Sequence, residues 1–319
     1  MEKIQTQFEK DVTKGLTDYP KHLPSKYIYD QRGDKLFQDI MAMPEYYLTN
    51  CEFDILSLHK TEICKAFSHD KGFDLIELGA GDGKKTKILL KELVDKNYDF
   101  DYLPIDISQN VLDELTEALK LEIPEAKVQA KQGTYFDVLS ELDEYRSRKK
   151  VILFLGSNIG NLLHKDAIVF LKKIQENMHD EDVLFMGFDQ KKHPQTILNA
   201  YNDDTKITEQ FNKNILRRIN REFEADFDLD QFMHWETYNP ETGTALSYLV
   251  SLKEQYVNIN NLDLQIKFDA WESIHVEISQ KYDDAVVEWL AAQSGLKPVK
   301  SFLDQKGYYK NYIFKAAKS

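Results

Sequence analysis

Two cysteines in 319 residues are too few for a disulfide scaffold, and Cys51 and Cys64 form neither a CxxC pair nor a four-ligand zinc pattern. Both are expected to be reduced and structural, which points to a cytoplasmic compartment. Proline (8) and glycine (13) are sparse, so collagenous and low-complexity chains are excluded. No apolar run has signal-peptide character at the start, and none is long enough to cross a bilayer. Basic charge is also short: 41 Lys plus Arg against 54 Asp plus Glu leave a net charge of -13. That balance gives no general attraction to nucleic acid or to an anionic membrane, and no broad basic footprint or aromatic recognition motif is present. There is no GxxxxGK[ST] phosphate loop and no convincing spaced set of metal ligands. What remains, 42% hydrophobic and 30% charged residues, is the composition of a soluble globular protein. The length suits about two domains or one enlarged α/β domain.

The first seventy residues read as helices and turns. Leu36, Phe37, Ile40 and Met43 share one helix face that ends near Pro44. From Phe73 the pattern alternates. A strand, Phe73–Leu78, runs into Gly79-Ala80-Gly81-Asp82-Gly83 and a helix whose buried face is Leu89, Leu90, Leu93 and Val94. A second strand, Tyr102–Asp106, contains Pro104, which disfavours a regular central strand. Ser108 caps the next helix, a third strand covers 126–130, and the apolar run Val151–Leu155 suits a sheet covered on both faces. Val183–Phe188 makes a further strand ending at Asp189. Short joins and strand–helix alternation predict an open, mostly parallel α/β sheet with binding residues at the strand ends. Residues 190–223 then turn helical, 232–282 read as strands, and the chain returns through a helix at 285–290 and a last hairpin. The expected divisions are an N-terminal helical region at 1–60, a core at 61–195, an insertion at 196–281 and the returning segment at 282–319. Two charged stretches, Glu222–Asp230 and the basic group Arg146, Arg148, Lys149 and Lys150, are expected to be solvated faces or helix ends.

The Glu77–Gly83 turn suits close backbone contact with an adenosyl group, because glycine turns sharply and presents no side chain. A dinucleotide remains open, although Lys84 stands where the last glycine of GxGxxG belongs. Asp106, at the end of the second strand, can accept paired ribose hydroxyls or can cap the following helix.

These features resemble the S-adenosylmethionine-dependent methyltransferases, and within them the L-histidine Nα-methyltransferase family of ergothioneine biosynthesis. The resemblance spans nearly the whole chain. It rests on Lys26–Asp30, Pro44–Tyr47, Glu77–Gly81, Phe154–Asn161, Phe211–Asn214 and Glu277–Ser279 in that order. It implies a Rossmann-like methyltransferase sheet with an inserted helix-plus-strand substrate domain. It also implies S-adenosyl-L-methionine as methyl donor, no metal, and a small amino-acid substrate, L-histidine, carried to the trimethylated amine. A monomer is compatible with the sequence, which fixes neither the oligomeric state nor any protein partner.

By the same resemblance Tyr46, Gly79, Gly81, Lys85, Asp106, Tyr135 and Gly156 line the donor site. Lys85 meets the methionyl carboxylate and Asp106 the ribose. Thr134 stands where the family often has an aspartate beside the adenine, so that contact is expected to be altered. Asn161 and Tyr29 orient the amino-acid head, Tyr201 takes its carboxylate, and Leu246 lines the side-chain pocket. Glu277 and Ser279, two apart in an extended segment, point to the same side, as His275 would. The family places them near the two imidazole nitrogens. No base for the ammonium proton is assigned. Two other readings stay open: N-methylation of another aromatic amino acid or related amine, and a noncatalytic adenosyl-binding regulator.

Overall fold

The computed structural model describes residues 5–141 and 148–317. The chain divides into two compact units, one formed by Met1–Tyr47 with Lys192–Gln280 and the other by Leu48–Lys191 with Lys281–Ser319. The expected first division, at residue 60, falls inside the helix Tyr47–Phe67; the break in the structure comes where that helix starts.

The second unit is a mixed α/β fold with a central sheet flanked by helices. Its strands lie in the order Leu296–Leu303, Tyr309–Ala316, Val183–Asp189, Lys149–Phe154, Phe73–Leu78, Phe100–Asp106 and Lys127–Val128, with Lys131–Gln132 also paired to Phe100–Asp106. Pairings from Val183–Asp189 through to Lys127–Val128 are parallel, and the final hairpin joins antiparallel. All residues of the strands Phe73–Leu78, Lys149–Phe154 and Val183–Asp189 are buried. Layers of helix on both faces require this of a parallel sheet. The core gathers Ile76, Leu78, Ile105, Ile152, Phe154 and Met186 under Phe170 and Leu171 of the helix His164–Glu176.

Pro104 sits inside the expected strand, which runs Phe100–Asp106, and the pairing on one side shows how it is accommodated. Lys127–Val128 pairs with Asp101 and Tyr102, and Lys131–Gln132 pairs with Ile105 and Asp106. The pairing is interrupted beside Leu103 and Pro104, so the missing proline N–H leaves no gap in a ladder.

The basic group is also placed differently from expectation. Arg146 lies outside the described residues. Arg148 stands 3.2 Å from Asp99 and 3.5 Å from Asp101. Lys149 and Lys150 are the buried first residues of a strand, and Lys150 lies 3.5 Å from Asp182. Both cysteines are free and buried, and burial pushes each thiol up to about 12.

The first unit packs the helices Gln31–Ala42, Pro194–Tyr201 and Ile207–Phe223 with a four-stranded sheet ordered Lys21–His22, Ser273–Gln280, Thr244–Ser251 and Phe232–Asn239. Along Thr244–Ser251 burial alternates strictly, with Ala245, Ser247, Leu249 and Ser251 inside. Asp203 starts the long helix by accepting the Ile207 and Thr208 N–H groups, each at 2.9 Å. Those bonds, with one from Thr205, outweigh burial and hold the carboxyl at about 2.

Candidate active site

The donor candidates of the second unit cluster at the carboxyl ends of the parallel strands. Gly79 follows the strand Phe73–Leu78 at φ 74° and donates its N–H to Ile105 O at 2.8 Å. A Cβ there would lie 2.6 Å from the Tyr135 hydroxyl, so both backbone angle and space demand glycine. Tyr135 opens the helix Tyr135–Glu141 and packs its ring against Phe154 and Phe170. Burial, aided by the Asp106 charge, raises its phenol to about 12, so it remains a hydrogen-bond donor.

Asp106 closes the strand Phe100–Asp106 and braces the turn: one carboxylate oxygen accepts Gly81 N at 3.3 Å, the other Ser108 N at 3.0 Å. A carboxylate offers about four lone-pair directions, so both oxygens retain capacity for ribose hydroxyls. Thr134 directs its hydroxyl to Asp137 at 2.6 Å and receives the Asp137 N–H, the bonding pattern of a helix N-cap. Lys85 precedes the helix Thr86–Asp95 and donates to Glu52 Oε2 at 2.6 Å. Gly156 lies two residues beyond the end of the strand Lys149–Phe154 and donates its N–H to the same oxygen at 2.8 Å. Asn161 closes the short turn Asn158–Asn161 and is exposed. A glycine turn in which a Cβ on Gly79 would strike Tyr135, a carboxylate at the end of the strand Phe100–Asp106 and a lysine beside Gly156 fit an adenosyl-amino-acid donor.

Glu77, just ahead of the turn, is fully buried and accepts from Thr86 Oγ1 at 2.5 Å and from the Tyr102 hydroxyl. Burial raises its carboxyl to about 7, against those lowering hydrogen bonds. A raised carboxyl pKa means the folded chain holds the proton more tightly, so stability is fully present below the ordinary value of 4.5 and is lost as pH rises through about 7. Glu77→Gln mimics the protonated form. Urea unfolding is expected to show no gain for this variant near pH 4 and a gain of up to about 3 kcal/mol above pH 7. A gain independent of pH would contradict the assignment.

In the first unit, Tyr201 ends the helix Pro194–Tyr201 and its hydroxyl shares a 2.6 Å hydrogen bond with Ser279 Oγ. Its ring meets Tyr46 edge-on, Tyr46 meets Phe37, and Phe37 and Phe211 flank Tyr29. Burial, followed by the Glu277 charge, drives the Tyr29 phenol well above its ordinary value. Tyr29 therefore stays a neutral phenol and does not serve as a base near neutrality.

Register places the remaining residues. Glu277 stands opposite Ser247 and Ser279 opposite Ala245, on the inner face of the sheet. The next strand adds Glu236 opposite Ser247, and Ser247 Oγ donates to Glu236 Oε2 at 2.6 Å. Leu246 stands opposite Ile278, so it lies on the other face from Glu277 and Ser279 and does not share their pocket wall. His275 is a second correction. A bulge between His275 and Glu277 resets the alternation, and His275 instead faces Tyr248, with ring centroids 5.5 Å apart.

Sequence reasoning missed Glu52, Glu236 and Ser247. Glu52 carried a visible signal, an acid among the buried Leu48, Cys51, Ile55 and Leu56 of one helix. Among the described residues no group of three or more His, Cys, Asp or Glu could hold a metal ion, and no helix is long and apolar enough to cross a membrane.

A profile of the family "Histidine-specific methyltransferase, SAM-dependent" matches residues 8–316. The histidine N-alpha-methyltransferase of Mycobacterium tuberculosis is 35% identical over 93% of this chain and 91% of its own length. The protein of the same description from Mycolicibacterium smegmatis is 34% identical over the same shares. The L-tryptophan methyltransferase of Psilocybe serbica is 29% identical over 93% of this chain and 90% of its own. S-adenosylmethionine-dependent methylation of an amino-acid or amine substrate follows from this relationship. The chain belongs to the histidine Nα-methyltransferase family within the S-adenosylmethionine-dependent methyltransferases.

Proposed function

We propose that this enzyme methylates the α-amine of L-histidine, repeatedly, to the trimethylated product, on a Rossmann-like donor-binding sheet. Parallel strand pairing with the glycine turn at one strand end supports the architecture. The observation that carries the substrate is the inner face shared by Glu277 and Ser279, with Tyr201 bonded to Ser279. An imidazole has two distinct nitrogens, one a donor and one an acceptor in the neutral ring. A carboxylate and a hydroxyl satisfy that pair, whereas an indole offers a single N–H.

In this reading Asp106 holds the ribose, Lys85 the methionyl carboxylate, and Gly79, Gly81 and Gly156 admit the donor backbone-close. Tyr46, Tyr135 and Thr134 complete the donor contacts. The sulfonium, when bound, supplies a methyl group that needs no metal and no covalent protein intermediate. Asn161 and Tyr29 orient the amino-acid head and Tyr201 its carboxylate, and fixing the nitrogen lone pair supplies much of the rate through lost orientational freedom. The ammonium proton leaves to solvent.

The experiment is incubation of purified protein with S-adenosylmethionine and L-histidine beside L-tryptophan, with products resolved by mass. Mono-, di- and trimethylhistidine are expected. A methylated tryptophan with no histidine product would overturn the substrate in favour of the relative's chemistry, and turnover of neither would favour the noncatalytic reading.

A further inference from the structure

Glu52 is a fully buried carboxylate in the helix Tyr47–Phe67. Its Oε2 accepts Lys85 Nζ at 2.6 Å and Gly156 N at 2.8 Å; its Oε1 accepts Asn311 Nδ2 at 2.9 Å and the Tyr309 hydroxyl at 3.1 Å. A carboxylate has about four lone-pair directions, so this one is filled. It has no acceptor left for a ligand. Lys85 is in the opposite condition: an ammonium carries three N–H donors, and its side chain keeps 23% exposure while Glu52 keeps none.

The surrounding backbone makes room for this arrangement. Gly187 lies inside the buried strand Val183–Asp189, where glycine weakens a strand. A Cβ there would come within 2.4 Å of Glu52 Oε1 and 2.3 Å of the Tyr309 hydroxyl. A Cβ on Gly156 would lie 3.4 Å from Lys85 Nζ. Stability alone does not explain the cluster, because buried ion pairs can often be replaced by apolar residues without loss. What the four bonds achieve is placement: one oxygen ties the Lys85 ammonium to the strand-end amide of Gly156.

We propose that Glu52 is a positioning residue for donor recognition, holding Lys85 beside Gly156 so that its remaining N–H donors take the α-carboxylate of the donor's amino-acid end. This rests on the donor assignment of Lys85 above and is independent of which amine accepts the methyl group.

The test measures binding of S-adenosylhomocysteine and of its decarboxylated analogue by calorimetry, with no turnover involved. Wild-type protein is expected to prefer the carboxylated ligand by about tenfold or more. Glu52→Gln is expected to lose about tenfold for S-adenosylhomocysteine and nothing for the analogue, a selectivity that general loosening of the fold would not produce. Equal weakening of both ligands, or of neither, would overturn the proposal. If Glu52→Gln alone does not fold, the charge-balanced pair Glu52→Gln with Lys85→Met is compared with Lys85→Met. Equal affinities are expected, and a further loss in the pair would show that Glu52 acts by another route. A wild type indifferent to the carboxylate would overturn the roles of both residues. A wild type that discriminates, yet makes no product from histidine, would overturn only the acceptor assignment.

Discussion

Replacing Glu277 by glutamine is expected to lower kcat/KM for L-histidine by about 10- to 100-fold while leaving S-adenosylhomocysteine affinity unchanged. Glutamine preserves size and keeps a hydrogen-bonding carbonyl, so the loss isolates the charge. A hydrogen bond to a charged group contributes about 1.5–3 kcal/mol, and an imidazole N–H that loses its carboxylate acceptor forfeits most of it. Discrimination should shrink with the rate, because a site built to bond a polar ring rejects rings that leave its groups unpaired. The position of Glu277 supports this: it stands opposite Ser247, on the same face of the sheet as Ser279. Its charge also reaches Tyr29, whose phenol burial and Glu277 together keep protonated. Steady-state kinetics with folding checked by thermal melting decides the matter, and unchanged histidine kinetics would remove Glu277 from recognition.

Asp106→Ala carries the second large effect. Donor affinity is expected to fall about 100-fold, with the histidine KM unmoved at saturating donor. Two charge-assisted bonds to ribose hydroxyls account for that scale. Asp106 also holds Gly81 N and Ser108 N at 3.3 and 3.0 Å, so part of the loss comes through the turn. Asp106→Asn separates the contributions: its single carbonyl oxygen retains one backbone bond, and a loss smaller than that of alanine is expected. Calorimetric titration with S-adenosylhomocysteine reads both variants, and an unaltered affinity in Asp106→Ala would contradict the ribose role.

The parallel strands and the glycine turn were legible because they depend on local signals: apolar runs with helical spacing between them, and glycines at strand ends. Asp106 was legible for the same reason, as the last residue of a strand. Glu277 and Ser279 could be placed on one face because no irregularity separates them. His275 could not, since the bulge between His275 and Glu277 leaves no mark in simple alternation. Leu246 needed the cross-strand register, which sequence spacing does not contain. The cost of Pro104 was likewise not readable from spacing, because it depends on a neighbouring strand that is broken beside it.

Lys149 and Lys150 show the limit of reading charge as solvation. Their burial is compensated by partners elsewhere in the chain, Asp182 for Lys150 and the Ala66 and Ser68 carbonyls for Lys149. Glu52 is the extreme case, with partners separated from it by as few as 33 and as many as 259 residues. An acid on an apolar helix stripe announces that something must satisfy it, but only the folded chain identifies Lys85, Gly156, Tyr309 and Asn311 as the donors.

The central claim is that imidazole recognition belongs to Glu277 and Ser279. A crystal structure of the protein with S-adenosylhomocysteine and L-histidine tests it most directly. The two imidazole nitrogens are expected within about 3.2 Å of the Glu277 carboxylate and the Ser279 hydroxyl. Histidine bound with its ring turned away from both would contradict it.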